Sequence, residues 1–230
     1  MTNPILRPIR SFIRREGRLT SGQAYALDTH WQQFGLEKDS GQIEYNEVFG
    51  NAGRRVLEIG FGMGNSLVTM AERMPDHQFI GIEVHRPGVG SLINQAERLG
   101  LTNLKTYADD AVQVLKQCIP NDHLDVVQIF FPDPWHKRKH HKRRLIQTEF
   151  LDLIQTKLKI GGTLHVATDW QDYATHILRT LSAHPHYANT SSSGDYCPRP
   201  AHRPQTKFEA RGTRLGHGVW DIIFQRAGTI

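Results

Sequence analysis

The sequence predicts an α/β protein built on a doubly wound, mostly parallel sheet. Three observations carry that prediction. From Arg54 to Leu181, short apolar and β-branched runs alternate with segments of helical apolar spacing. A glycine-rich turn, Gly60-Phe61-Gly62-Met63-Gly64, stands between the first strand and the first helix of this series. Acids recur where strands end: Glu83 after the second, Asp110 after the third and Asp133 after the fourth. Open parallel sheets bind ligands at the C-terminal ends of their strands, so these three are candidate site residues.

Each element has its own signal. Val56-Leu57-Glu58-Ile59 reads as a strand, and Leu67 to Met74 as a helix stopped by Pro75, with Asn65 or Ser66 available as its N-cap. Gln78 to Val84 is the second strand, and Gly88 to Leu99 the second helix, ended by Gly100. Leu104 to Ala108 and Ala111 to Cys118 repeat the pair, and Leu124 to Phe131 is the fourth strand. Leu145, Ile146, Phe150, Leu153, Ile154 and Leu158 mark one face of a helix closed by Gly161-Gly162. Thr163 to Thr168 is a strand, Tyr173 to Leu181 a helix, and Trp220 to Phe224 a last strand, antiparallel because no crossover helix precedes it.

Two regions depart from this rhythm. Residues 1–24 are basic and irregular, fitting either a frayed arm or one that orders on an anion. Residues 25–50 carry short mixed signals, with Trp31, Phe34, Val48 and Phe49 expected to pack on the domain after them. We therefore divide the chain into a lead-in, residues 1–50, and a main domain, residues 51–230. Residues 184–205 are rich in proline and serine, and a connection this long is usually functional or disordered.

A chain of 230 residues can bury a full core. Its net charge of +5 makes an anionic partner plausible without demanding one. Cys118 and Cys197 form no paired motif, which suggests a reducing compartment. No apolar run approaches the roughly 20 residues of a membrane span, and no secretory core accompanies the arginines of the N-terminus. An organellar transit peptide would share that arginine-rich character; the simpler expectation is a cytoplasmic protein without a membrane anchor.

The glycine turn alone is weak evidence, since it lets a backbone approach any ligand. Its context is more selective. A dinucleotide fold wants glycine or alanine where Asn65 stands. Glu58, two residues before Gly60, would repel a pyrophosphate but suit a cationic amino group. Glu83 can accept both hydroxyls of a ribose, and Asp110 can accept from an adenine amino group, although acids at helix starts also serve as simple caps. Glu58, Gly60, Gly62, Gly64, Glu83, Asp110 and Asp133 thus favour S-adenosyl-L-methionine over NAD.

The organising stretch is Phe130-Phe131-Pro132-Asp133-Pro134-Trp135, followed by His136-Lys137-Arg138-Lys139-His140-His141-Lys142-Arg143-Arg144. The two prolines push Phe131 and Asp133 towards extended geometry and hold a carboxylate at the lip of the sheet. The basic run would lie before or within the first turns of the next helix, where its charges oppose the helix dipole and repel one another; a phosphate backbone would relieve both costs. A solvated charge run is the plainer reading. The histidines lack an accompanying cysteine or acid cluster, so no metal site is expected. Asp169-Trp170 places a second carboxylate and aromatic beside the same crevice, and Thr206-Lys207-Phe208-Glu209 offers a cation, a stacking face and an acid, with core packing equally open to Phe208.

These residues resemble the bacterial tRNA (guanine-N7-)-methyltransferase family. Leu57 to Gly64 and Gly81-Ile82-Glu83-Val84-His85 look like class I methyltransferases in general. Phe130 to Lys137, Thr206 to Glu209 and the Arg7-Pro8-Ile9-Arg10-Ser11-Phe12 stretch are similar to this family in particular. The resemblance implies a seven-stranded Rossmann-like sheet and methyl transfer from S-adenosyl-L-methionine to N7 of guanine-46 in the tRNA variable loop, by a monomer or homodimer. It implies that Glu58, Glu83, Asp110 and Asp133 border the cofactor, with Asp133 the catalytic candidate. Lys137, Asp169, Thr206, Lys207, Phe208 and Glu209 would contact the substrate, and Lys139, His140, His141, Lys142, Arg143 and Arg144 would hold RNA. The alternatives are an amino-group methyltransferase acting on RNA, an RNA-binding protein with a vestigial pocket, and an NAD-dependent oxidoreductase.

Overall fold

The computed structural model describes residues 17–205, 209 and 218–228. Helices α1 (Ser21–Phe34), α2 (Tyr45–Phe49), α3 (Asn65–Arg73), α4 (Arg86–Arg98), α5 (Ala111–Gln117), α6 (Thr148–Lys157) and α7 (Gln171–Ser182) accompany seven strands. The strands are β1 (Arg54–Ile59), β2 (His77–Ile82), β3 (Leu104–Tyr107), β4 (Leu124–Phe130), β5 (Leu158–Thr168), β6 (Tyr187–Asn189) and β7 (Trp220–Arg226). They form one sheet in the order β3-β2-β1-β4-β5-β7-β6. β1 to β5 pair in parallel, and β7 runs antiparallel to both of its neighbours. Chain order reverses between β1 and β4, which opens a crevice at their C-terminal ends.

Period-two alternation sends side chains to two cores. Leu57 and Ile59 join the cluster under α5, α6 and α7, whereas Val56 packs under α1, α3 and α4. Phe34 is buried, and Trp31, Val48 and Phe49 lie partly buried against these cores, so the second half of the lead-in packs on the sheet. Thr20 starts α1 with a capping box: its hydroxyl accepts the Gln23 N–H while the Gln23 side chain accepts the Thr20 N–H.

Four local expectations are corrected. Neither Asn65 nor Ser66 caps α3; the cap is Gly64 at φ +80°, where a Cβ would stand 2.7 Å from Leu92 Cβ of α4. The helix expected over 145–158 begins only at Thr148 and ends before Leu158. Leu145 and Ile146 instead connect to α7, Ile146 donating its N–H to the Tyr173 hydroxyl at 3.2 Å. Gly161-Gly162 closes no helix but lies within β5, where the pairing slips from Leu124↔Leu158 to Val126↔Thr163; Gly161 takes φ +81°, as a bulge requires. The basic run takes the first of its two expected places, ahead of α6, where Arg138–Arg143 wind into their own 3-10 turn. Finally, Phe131 is not extended: it sits at φ +53°, with Trp135 at +48°.

The approach of α4 to the glycine turn is close enough to test. A Cβ on Gly88 would lie 2.1 Å from the Gly62 carbonyl oxygen, a backbone atom that cannot rotate away. Alanine normally favours a helix interior over glycine, so only this clash sets the sign. Gly88→Ala should therefore destabilise the protein by about 1–3 kcal/mol in urea denaturation, and an unchanged midpoint would contradict the packing.

Candidate active site

A cavity of about 450 Å³ opens at the strand ends, lined by Gly60, Ile82, Glu83, Asp109, Asp110, Val112, Ile129, Phe130, Pro132, Asp133 and Leu145 among others. That volume lies within the range of small-molecule sites. The sequence-predicted Gly60, Glu83, Asp110 and Asp133 thus meet in one crevice, joined by Asp109, which the sequence reading passed over in favour of its neighbour. Among the described residues no three metal-ligating side chains cluster.

Each carboxylate is oriented by backbone N–H groups. Glu83 accepts from Gly62 at 2.9 Å, Val84 at 2.7 Å and His85 at 2.9 Å. A carboxylate offers about four acceptor sites, so one remains for a ligand hydroxyl. Asp110 caps α5 through one oxygen, at 2.9 Å from Val112 N and 3.2 Å from Gln113 N. Both roles considered for Asp110 therefore stay available, one to each oxygen. At Gly60 (φ +77°) and Gly62 (φ +59°) an added Cβ would meet no atom within 4 Å, so open space adjoins the turn where a ligand can approach the backbone.

Glu58 lies beneath this turn and is absent from the cavity lining. It is paired across the strands with Gln128, whose side-chain amide donates to it at 2.8 Å. Burial pushes its carboxyl up to about 7; the Gln128 hydrogen bond opposes the rise and the charge of Glu83 adds to it.

Asp133 is exposed at the end of β4, and one of its oxygens accepts the Trp135 N–H at 3.0 Å. The cations beyond it divide into two groups. Lys137, Arg138, Lys139 and Lys142 are exposed. Arg144 is buried, donating to the Pro134 carbonyl at 2.9 Å, to His141 at 3.1 Å and to Asp172, with its guanidinium 4.8 Å from the Tyr173 ring centre. Arg143 lies over the buried Trp135 ring at 3.9 Å. Arg144 is therefore a brace beneath the loop, in contrast to its expected place on an RNA-facing surface. Burial and the surrounding cations push His140 below the usual imidazole range.

Against this geometry, a family model described as "Putative methyltransferase" matches residues 53–222. A tRNA (guanine-N(7)-)-methyltransferase of Pseudoalteromonas atlantica is 57% identical over 96% of this chain and 92% of that protein. One from Alcanivorax borkumensis is 54% identical over 98% of this chain and 94% of its own length. The chain belongs to the tRNA (guanine-N7-)-methyltransferase family. It is thus a methyltransferase, and its fold agrees: the 16S rRNA methyltransferase KamB superposes with TM-score 0.60 at 13% identity, covering 80% of this chain and 93% of that one. A geranyl diphosphate C-methyltransferase of Streptomyces coelicolor, solved with S-adenosyl-L-homocysteine, matches at TM-score 0.50 and 12% identity, over 79% of this chain and 73% of its own.

Of the expected substrate-contacting stretch Thr206 to Glu209, Thr206, Lys207 and Phe208 lie outside the described residues. Glu209 is buried and gripped by a residue the sequence reading missed. Arg203 donates to both Glu209 oxygens at 2.8 Å and to both Asp221 oxygens at 2.7 and 2.8 Å. His165 meets Asp221 at 2.7 Å. Burial alone would raise the Asp221 carboxyl, but the hydrogen bonds from His165 and Arg203 hold it below the usual range. A polar residue inside the apolar run Leu164-His165-Val166-Ala167 was the available signal; nothing local marks Arg203.

The raised Glu58 carboxyl has a testable consequence. Between the ordinary 4.5 and about 7 the folded protein keeps a proton that the unfolded chain releases. Stability in the ligand-free protein is full below 4.5 and is lost as pH rises through about 7, by on the order of 3 kcal/mol from this group. Glu58→Gln should flatten that part of the pH profile in urea denaturation; an unaltered profile would show the carboxyl to be solvated.

Proposed function

We propose that this enzyme transfers a methyl group from S-adenosyl-L-methionine to N7 of guanine-46 in the tRNA variable loop. One observation carries the reading: Asp133 joins a crevice lined by carboxylates directly to a turn of exposed cations. Bound there, the donor supplies an electrophilic methyl group on a sulfonium and carries an ammonium but no phosphate. Acids suit that charge and would repel a dinucleotide. Glu83 would take a ribose hydroxyl, the free oxygen of Asp110 an adenine amino group, and Ile82, Val112, Ile129 and Leu145 the flat apolar ring. The open side of Gly60 leaves room for the chain's backbone to lie against the ligand.

Guanine N7 presents an in-plane lone pair at neutral pH, so no protein base must first remove a proton. The work of the protein is alignment and electrostatics. Asp133, fixed by the Trp135 N–H, is placed to stabilise the positive charge the purine gains. Asp169 at the end of the neighbouring strand and Lys137 beyond Asp133 would hold the substrate. Glu209 would act through its Arg203 clamp. The exposed Lys139, Lys142 and partly exposed His140 and His141 would receive phosphates, together with Arg143.

Incubation with radiolabelled methyl donor and unmodified tRNA should place label on N7 of guanine-46, located by chain cleavage at the methylated guanine. Label on an exocyclic amine, or none, would overturn the assignment. In salt titrations of tRNA binding, Lys139→Gln with Lys142→Gln should reduce the slope of log K against log salt by about 1–2. Arg144→Gln should instead lower stability, by about 1–3 kcal/mol as the buried side chain loses its hydrogen bonds to the Pro134 carbonyl and Asp172; a change in slope without loss of stability would place that guanidinium on the RNA.

A further inference from the structure

Two tryptophans follow the ends of β4 and β5, Trp135 two residues after Asp133 and Trp170 directly after Asp169, and the fold treats them oppositely. Trp135 is buried beneath the Arg143 guanidinium. Trp170 is 40% exposed. Apolar side chains exposed singly are ordinary, as Tyr25, Leu99 and Ile160 are here; what sets Trp170 apart is its place, directly after Asp169 and against the His136 ring.

Its exposure is not looseness. The Trp170 N–H donates to the Thr168 hydroxyl at 3.3 Å, and its carbonyl accepts the Ala174 N–H at 2.9 Å. The His136 ring meets the indole edge-on, centres 4.2 Å apart at 70°. This contact ties the first turn of α7 to the segment after Asp133. Because Phe130 of β4 lies opposite Ala167 of β5, Asp133 and Asp169-Trp170 leave the sheet side by side. An indole held in place, with part of its surface in water, therefore follows one of two neighbouring carboxylate-bearing strand ends and touches His136, where the basic segment begins.

We propose that the exposed face of Trp170 receives the target guanine and stabilises the charge its ring acquires. This rests on the N7-methylation reading above. In that reaction the N7 lone pair forms the new bond to carbon, the carbon–sulfur bond breaks with its pair returning to sulfur, and no proton is released. Positive charge thus passes from sulfur to the purine. A delocalised cation is held by an aromatic face more strongly than a neutral base, and indole is the best such face. The gain grows along the reaction coordinate, so it belongs to the transition state more than to binding.

The test uses the full chain with unmodified tRNA. Trp170→Ala should lower kcat by about tenfold to a hundredfold, with a smaller effect on the tRNA KM and donor affinity within about twofold of the parent. Trp170→Phe, keeping a stacking face, should recover most of the rate. In fluorescence titrations, 7-methylguanosine 5′-monophosphate should quench the parent more strongly than guanosine 5′-monophosphate, and Trp170→Phe should lose that difference. Equal losses in both variants, an unchanged kcat in Trp170→Ala, or equal quenching by the two nucleotides would overturn the proposal. If Trp170→Ala loses donor binding, the fluorescence comparison on Trp170→Phe still decides. A parent enzyme that leaves N7 unmethylated would refute the underlying function, whichever way Trp170 behaves.

Discussion

The loop that presents Asp133 is held by one buried guanidinium. Phe131 and Trp135 both occupy left-handed backbone, which costs roughly 1–2 kcal/mol for each residue bearing a Cβ. Such geometry persists only where its surroundings over-determine it. Arg144 supplies the constraint: it bonds the Pro134 carbonyl inside the loop and Asp172 on α7, and lies against Tyr173. The Asp172 carboxyl is drawn below its usual range first by that hydrogen bond, with burial pulling the other way. Arg143 adds a lid over Trp135. A run of cations that looks uniform in the sequence is thus divided in space, its last members bracing the loop while its first members face water.

A second guanidinium solves a related problem across the sheet. Asp221 and Glu209 would repel each other and be costly to bury alone. Arg203 spans both with four hydrogen bonds and leaves neither uncompensated. Fork geometry is what permits this, since a lysine ammonium cannot present two parallel pairs of donors. His165, whose imidazole is pushed below its usual range chiefly by burial, completes the chain from β5. The clamp ties the last residue of the Thr206–Glu209 motif to the sheet, and Arg203 also approaches the rings of Phe130 and Phe131 to within 5.8 and 5.9 Å. Asp133's loop and Glu209 are therefore each tied to the fold by an arginine.

How much was legible in the sequence depends on the range of the interactions involved. Strands such as Gln78 to Val84 and helices such as Gly88 to Leu99 declare themselves through local periodicity, and the structure places them within two residues of the expected bounds. The acids at strand ends were readable because a parallel sheet fixes where those ends lie. Boundaries failed where distant contacts override local preference: Leu145 and Ile146 have helical spacing but are captured by Tyr173 and His176 of α7. Phe131 failed because the extended preference of a residue before proline is only local, whereas its N–H is held by the Ala167 carbonyl of β5 at 2.7 Å. The side chain of Glu58 was expected in the crevice, but its strand face turns it beneath the turn, towards Gln128.

The arrangement of charge explains how a polynucleotide substrate could be admitted without being swallowed. Glu83, Asp109, Asp110 and Asp133 line the crevice, and a phosphate entering it would face their negative charge. The exposed lysines begin only four residues beyond Asp133, at Lys137. On the function proposed above, a phosphate backbone would be drawn to the ridge and repelled from the crevice, while a neutral base would pass between the two fields. The sign of the field, rather than pocket shape alone, then separates the group that reacts from the group that anchors. Once methylated, the base is cationic and its attraction to those same carboxylates rises. On the role proposed for Asp133, the acids that would assist charge development would therefore also tend to retain the product.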